Sequence, residues 1–403
     1  MTSATHHKIV IIGGGTGGIS VAAHLQKEVE NADIAIIEPS DTHYYQPGWT
    51  LVGGGIMAAE KTARSMPQVI PEGVQWIQDS VTAIDPEQNT VMTAAKEAVG
   101  YDYLVVAASI RVDWDAIPGL EEGLGKNGVV SNFDYRVAPV TWETIKAFQG
   151  GTAIFTQPKP PFKCPGAAQK ILYLADDAFR KSGVRDKTKM IFCSAAAGIF
   201  PIKKYATVLN QVISRKGLDM RYQTNLIELR PDKKEAVFEK LDDGEQRVIA
   251  YDMIHVTPPM SAPDFIKQSP LSDDGGWMDV NMYTLCHPRY ANVFGLGDCT
   301  NSPNSKTAAA VRSQTPVLVS NLVTTMAGGE GKAAYDGYAS CPLVTGYGKL
   351  VLAEFDYNLQ PKETFPFNQG KERRSMYYFK KYVLPRFYWN VLLKGGDLNM
   401  GGD

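Results

Sequence analysis

The chain has 403 residues, 44% of them hydrophobic and 21% charged, with a formal net charge of -2. That is the balance of a folded globular protein long enough for two or three domains, and it gives no electrostatic reason to expect nucleic acid as a partner. No apolar run reaches the roughly 18 to 20 residues of a spanning helix, and Cys164, Cys193, Cys286, Cys299 and Cys341 are scattered without a CxxC pair, so neither a disulfide scaffold nor a metal site is expected.

Met1 to His7 is too short for a signal peptide and lacks the Arg-rich character of a transit peptide, so a cytosolic location is expected unless a presequence has been removed. The β-branched run Lys8 to Ile12 predicts a buried parallel strand leading into Gly13, Gly14, Gly15, Thr16, Gly17 and Gly18, with a helix to Glu28. In this GxGxxG, Gly13 allows the tight turn, Gly15 admits a pyrophosphate and Gly18 lets helix and strand pack closely. A second strand, Ile34 to Ile37, ends at Glu38, where a carboxylate accepts hydrogen bonds from a ribose diol. Tyr101 to Ser109 is a hydrophobic strand ending in small residues.

Cys164 lies in Pro160, Pro161, Phe162, Lys163, Cys164, Pro165, Gly166, ahead of a helical stretch from Ala167 to Arg180. Pro165 suits the first helical position, which makes Cys164 the expected cap, with a thiolate favoured by the helix dipole and by Lys163. A second strand and helix, Lys189 to Ser194 and Lys204 to Ile213, are joined by Ala195, Ala196, Ala197, Gly198, Ile199 and Phe200. This is read as the turn where a second dinucleotide fingerprint would stand; one glycine remains, and nicotinamide binding is not expected.

Asn292 to Leu296 predicts a further strand, followed by Gly297, Asp298 and a helix start at Ser305 to Ala310. An Asp beside a helix N-terminus can bind a ribityl hydroxyl while the dipole stabilises a reduced isoalloxazine, which selects FAD over NAD. Cys341 stands in a second loop-like Cys-Pro stretch. From spacing alone, Cys164 and Cys341 are either inert core residues or a redox pair assembled by the fold. In the tail, Lys371, Arg373, Arg374, Lys380, Lys381, Arg386 and Lys394 interleave with Tyr377, Tyr378, Phe379, Tyr382, Phe387, Tyr388, Trp389 and Leu392. The pattern reads either as a buried amphipathic helix or as a monotopic membrane anchor broken near Pro385, and the anchor is favoured.

Five segments carry a resemblance over essentially the whole chain: Tyr45 to Gly53 (YQPGWTLVG), Phe162 to Lys170 (FKCPGAAQK), Val293 to Val311 (VFGLGDCTNSPNSKTAAAV), Tyr335 to Gly346 (YDGYASCPLVTG) and Ala353 to Phe367 (AEFDYNLQPKETFPF). In these the sequence resembles the sulfide:quinone oxidoreductases, in the branch that includes the mitochondrial enzyme. The resemblance implies an α/β fold with two Rossmann-like domains of the FAD/NAD(P)-binding type and a C-terminal membrane-associating segment. The domains would be 1–120 and 266–330 for FAD, 121–265 for the second unit, and 331–403 for the second redox cysteine, the quinone site and the anchor.

The resemblance further implies that Cys164 and Cys341 are the redox cysteines, with Lys170 near them and Lys380 near the quinone, while Cys193, Cys286 and Cys299 have no redox role. Gly13, Gly15, Gly18, Glu38, Gln46, Val81, Ala108, Asp298, Lys306 and Thr307 are the candidate contacts of a non-covalent FAD. Phe379, Tyr382, Phe387 and Trp389 join Lys380 at the quinone and membrane. Hydrosulfide would attack the oxidised pair at Cys341, leaving a persulfide there and a thiolate at Cys164. Ubiquinone or menaquinone would take the electrons, and glutathione, coenzyme A, sulfite or polysulfide the sulfur. A homodimer bound peripherally to the cytoplasmic face of a bacterial inner membrane is the expected setting. The rival readings are a type II NADH:quinone oxidoreductase and a non-catalytic flavoprotein that senses sulfane sulfur.

Overall fold

Ile9 to Ile12 show no polar alternation, and all four are buried, because the strand they form is covered on both faces. In the computed structural model, which describes residues 5–396, that strand is the centre of the first sheet. The sheet gathers β1 (Thr5–Ile12), β2 (Ile34–Ile37), β3 (Gln75–Ile77), β4 (Val81–Asp85), β5 (Thr90–Thr93) and β6 (Ala98–Val106) in the order β3-β2-β1-β6-β5-β4. β1 begins at Thr5, ahead of the expected Lys8, since its polar start already pairs with β6 at Val99. Residues 1–4 and 397–403, with the start of the expected leaderless terminus and the end of the expected tail, lie outside the described residues.

Between β1 and β2 runs α1 (Thr16–Glu28), and a short α2 (Trp49–Gly53) follows β2. The close approach of α1 to β1 rests on Gly18, where a Cβ would stand 1.9 Å from the Gly13 carbonyl oxygen. Gly13 itself turns at φ +103°, a conformation that side chains oppose.

The second sheet is wholly parallel and contains β7 (Val129–Val130), β8 (Gly151–Gln157), β9 (Thr188–Ser194), β10 (Asp219–Arg221) and β11 (Met253–His255) in the order β7-β11-β8-β9-β10. α3 (Ala167–Ser182) crosses from β8 to β9, and α4 (Lys203–Lys216) from β9 to β10. This order corrects the sequence reading. The central strand that opens the βαβ run is β8, so the turn corresponding to a dinucleotide fingerprint is residues 158–166, the cysteine loop, and not 195–200. Ile199 and Phe200 instead bury their side chains in the core around α3.

The chain then returns to the first sheet. β12 (Val293–Gly295) pairs in parallel with β6, and α5 (Ala308–Met326) lies against α1, so the first unit is built from two distant stretches of sequence. A hairpin of β13 (Ala339–Gly346) and β14 (Lys349–Phe355) covers α3. The tail is one continuous helical run: α6 (Arg374–Tyr378), a π-helical stretch Phe379–Val383, and α7 (Leu384–Asn390). It does not break at Pro385. The proline sits in the first turn of α7, where the wide π turn before it removes the need for its missing N–H. No helix among the described residues is long and apolar enough to cross a membrane.

The orientation of α3 is fixed at its C-terminal half by Asp176, which has no exposed surface and accepts from Arg180 (3.0 Å), Arg185 (2.6 Å) and Lys216 (2.9 Å). Burial opposes the charge of Asp176, but the hydrogen bonds of Arg180 and Lys216 outweigh it and hold the carboxyl below its usual range. That contribution to stability is complete above the ordinary carboxylate pKa and is lost as pH falls through the depressed folded value. Asp176→Ala leaves three cations around an apolar methyl and is expected to destabilise the protein by about 3 to 5 kcal/mol in urea unfolding. A loss below about 1 kcal/mol would show that the network is solvated and not structural.

Candidate active site

The two units enclose a cavity of about 800 Å³, of a size for a large cofactor or ligand. One wall is the glycine turn. A Cβ on Gly15 would meet nothing within 4 Å, so the backbone is open to the cavity where a pyrophosphate would approach α1. Glu38 closes that end and accepts from the N–H groups of Gly14 and Ser40, both at 2.8 Å. Opposite, Thr307 caps α5 by accepting from the Ala310 N–H at 3.2 Å, which leaves the first turn of a 19-residue helix facing the cavity. Asp298 lines the same wall; burial raises its carboxyl pKa against the opposing pull of Lys163 and Lys306. Lys306 reaches the Asp298 and Thr300 carbonyls at 2.7 and 2.8 Å.

The second wall is the cysteine loop. Gly166, not Cys164, is the N-cap of α3. Cys164 stands two residues earlier at φ +57°, its carbonyl accepting from the Ala167 N–H at 2.9 Å and its N–H donating to the Lys306 carbonyl at 3.1 Å. A left-handed, non-glycine conformation of this kind is held by its surroundings and is common at reactive residues. Of the two lysines expected near Cys164, only one bonds its sulfur. Lys163 turns away to hydrogen-bond Gln46, and Lys170, on the first turn of α3, donates to the Cys164 sulfur at 3.2 Å.

Cys341 comes from β13 and presses its sulfur onto the same turn: a Cβ on Gly166 would stand 2.6 Å from that sulfur and 3.3 Å from Cε of Lys170. The thiols are free and interact directly. The hydrogen bond from Cys341, then the charge of Lys170, hold the Cys164 thiol well below its ordinary pKa despite burial. The same hydrogen bond and burial push Cys341 well up. Burial alone would discharge Lys170, but the attraction of Cys164 and Cys341 raises its pKa. Cys193 and Cys299 show the contrast: burial pushes them up to about 12 and about 11, and the nearby charges of Arg221 and Lys306 do not outweigh it.

The third wall is the tail. Phe379, Lys380, Leu384, Phe387 and Leu392 line the cavity. Lys380 is buried, donates to the Pro47 carbonyl at 3.0 Å, and is pushed down to about 7 by burial and by the charge of Lys170. Tyr388 ties this wall to the first. His43 is pushed down to about 4 by burial and is neutral; its Nδ1–H donates to the Gly14 carbonyl at 2.8 Å, so its Nε2 accepts from Tyr388 at 2.7 Å. The Tyr388 oxygen then accepts from Thr16 at 2.8 Å.

Of the residues singled out from sequence, Gly13, Gly15, Glu38, Gln46, Ala108, Cys164, Lys170, Asp298, Lys306, Thr307, Phe379, Lys380 and Phe387 line this one cavity. Gly18 lies behind its wall in helix packing, and Cys341 directly behind Cys164. Val81 is displaced from it, in the core of β4 with Ile84 and Val91. Tyr382 faces outward at 46% exposure, beside exposed Tyr378 and Val383. Trp389 is not on a membrane-facing surface: it is buried, with the Arg64 guanidinium 4.3 Å from its ring centroid. The amphipathic pattern could not decide this, because the side of the helix that packs on His43 and Tyr45 is as aromatic as the side that does not. Sequence reasoning missed His43, for which a lone histidine gives no signal.

Residues 7–137 match the family model for pyridine nucleotide-disulphide oxidoreductases. The mitochondrial sulfide:quinone oxidoreductase of Mus musculus is 48% identical over 98% of this chain and 88% of its own. The mitochondrial sulfide:quinone oxidoreductase of Dictyostelium discoideum is 48% identical over 96% and 86%. The solved sulfide:quinone oxidoreductase of Aquifex aeolicus, at 21% identity, has the same fold, with a TM-score of 0.84 over 98% of this chain and 92% of that one. The two relatives at 48% are mitochondrial by name, which lends no support to the expected placement on a bacterial inner membrane.

In the reduced protein, iodoacetamide followed by peptide mapping is expected to label Cys164 first among the five cysteines. Replacing Lys170 with Met removes the charge that favours the thiolate, so the pH midpoint of Cys164 alkylation moves upward by about one unit and the rate at mildly acidic pH falls about tenfold. An unmoved midpoint would rule out Lys170 as the stabilising group.

Proposed function

The chain belongs to the sulfide:quinone oxidoreductase family and is an enzyme of that class, and on that premise we propose that Cys164 and Cys341 are its redox pair and that the cavity beside them holds FAD. The observation that carries the reading is the Cys164, Cys341 and Lys170 cluster on a cavity whose far wall is an open glycine turn. The residues present fit FAD. Gly13 to Gly18 and the start of α1 would take the pyrophosphate, Glu38 the ribose of the adenosine half, and Asp298 with the α5 N-terminus the flavin half. When bound, FAD supplies a two-electron acceptor that a quinone can reoxidise.

The protein's own groups divide the sulfur chemistry between them. In the oxidised pair, the sulfur better stabilised as an anion is the better leaving group, and that is Cys164, held by Lys170. Hydrosulfide therefore attacks Cys341: a new S–S bond forms there as the Cys164–Cys341 bond breaks, giving a persulfide on Cys341 and a thiolate on Cys164. Cys341 is itself buried, and the approach is past its neighbours Ser340 and Pro342, which line the cavity. Transfer of the sulfane sulfur to a small acceptor then frees Cys341.

On the tail side, Phe379, Leu384, Phe387 and Leu392 offer an apolar seat for a quinone ring, and Lys380, near neutrality in its proton affinity, can pass a proton to the reduced ring. Exposed Tyr378, Tyr382 and Val383, close in sequence to Lys381 and Arg386, form the surface that meets the lipid in which such quinones dissolve.

Mixing the FAD-loaded protein with sulfide under anaerobic conditions is expected to bleach the oxidised-flavin absorption, and decylubiquinone to restore it. Cys164→Ser and Cys341→Ser should each retain FAD while the bleaching rate falls at least about 100-fold. Bleaching by NADH alone, or full sulfide reactivity in either variant, would overturn the assignment.

A further inference from the structure

The carboxyl edge of the second sheet carries buried polar side chains that the chemistry above does not use. Val130, His255 and Phe155 are in register across β7, β11 and β8. Two positions further along each segment come Asn132, Thr257 and Gln157, which strand alternation assigns to the same face. They are 5%, 2% and 8% exposed. Both polar atoms of the Asn132 amide, Oγ1 of Thr257 and Oε1 of Gln157 have no hydrogen-bond partner within the protein. His255 joins them: its Nε2 accepts from the Asn132 N–H at 3.1 Å, so Nδ1 carries the proton, and Nδ1 is also unpartnered.

Buried polar groups in folded proteins are paired with protein or with ordered water, and leaving several unpaired together is costly. This row asks for donors and acceptors in alternation and carries no charge, a requirement that water meets and an anion does not. Its position is functional by the general rule for parallel sheets, whose ligands collect beyond the carboxyl ends of the strands. Asn132 lines the main cavity together with Lys163, Cys164 and Lys170, whereas Gln157 leads, past Pro158, to exposed Lys159. The row thus has a cavity-lining residue, Asn132, at one end and at the other Gln157, two residues in sequence from exposed Lys159.

We infer that Asn132, Thr257, Gln157 and His255 hold a chain of ordered water molecules that carries a proton out of the sulfur site. The inference rests on the family reading, which makes sulfide the substrate. Undissociated hydrogen sulfide crosses an apolar cavity more easily than its anion, but it must lose one proton before its sulfur can attack the disulfide. That proton passes to the first water at Asn132 and on to solvent at Lys159, while hydrosulfide forms the new S–S bond and the Cys164 sulfur leaves as thiolate. Within the row only His255 titrates, and burial, by pushing it down to about 3, keeps it neutral as a relay. The other titratable groups around the sulfur site are Lys163, Cys164, Lys170, Asp298 and Lys380, with Cys341 behind them, all of which the test leaves unaltered.

The test compares the FAD-loaded protein with Thr257→Val and Gln157→Met, which keep shape and remove hydrogen bonding. Anaerobic stopped-flow bleaching by sulfide is expected to slow about tenfold at acidic pH, where undissociated sulfide predominates, and less than about twofold at alkaline pH, where hydrosulfide arrives already ionised. Reoxidation by quinone should be unchanged. Equal slowing at both pH values, or none at either, would overturn the proposal. A high-resolution crystal structure of the unaltered protein gives a second readout: waters bonded to Asn132, Thr257 and Gln157 support it, and a dry row sinks it. Failure of sulfide to bleach the unaltered protein would instead strike at the family reading.

Discussion

An ammonium and a thiol, Lys170 and Cys164, face each other at 3.2 Å on the wall of the cavity, and much of the rest of the structure serves that contact. Neither charge is tenable there alone, since the cost of burying an isolated ion is several kcal/mol. Together they keep each other ionised, and the hydrogen bond from Cys341 adds to the preference for the anion at Cys164. The asymmetry between the two cysteines is therefore set by position: one lies beside the cation at the start of α3, and the other is buried behind it on β13.

The strand order explains why this anion site exists. The turn from β8 into α3 is where a Rossmann-like unit would place a pyrophosphate, at the positive end of a helix. Here residues 158–166 fill that turn with prolines, Phe162 and Cys164, and the thiol there is held below its usual pKa by Cys341 and by Lys170 from the first turn of α3. The first sheet has an open glycine turn at Gly15, so one cavity is lined by that turn on one wall and the two-cysteine site on another. The walls are joined by Cys164 to Lys306, Lys163 to Gln46, Lys380 to Pro47, and His43 to Tyr388, each crossing between distant parts of the chain.

Much of this was legible in the sequence, for identifiable reasons. The turn at Gly13 to Gly18 and the acid at Glu38 obey local rules that need only a strand and a helix, and both fall where the pattern put them. Cys164 and Cys341 were candidates by residue type, but nothing in a separation of well over a hundred residues could bring them to the same turn of backbone; only the packing of β13 against α3 does. Proximity in sequence misled at Lys163, which points to Gln46, while Lys170 on the first turn of α3 reaches the Cys164 sulfur. It misled again at residues 195–200, where a strand-helix pattern looked like the fingerprint turn although the sheet order, which is not local, gives that place to the cysteine loop. The tail failed in a third way, since buried and outward aromatics alternate in one amphipathic pattern and only the partner surface tells Trp389 from Tyr382.

The central claim is that Cys164 and Cys341 act as one redox unit. Peptide mapping of the air-oxidised enzyme without reductant, after blocking free thiols, tests it most directly. The peptides containing Cys164 and Cys341 are expected to be recovered joined, by a disulfide or through an intervening sulfur atom, and to separate only on reduction. Recovery of both peptides individually alkylated from oxidised, FAD-containing protein would contradict it.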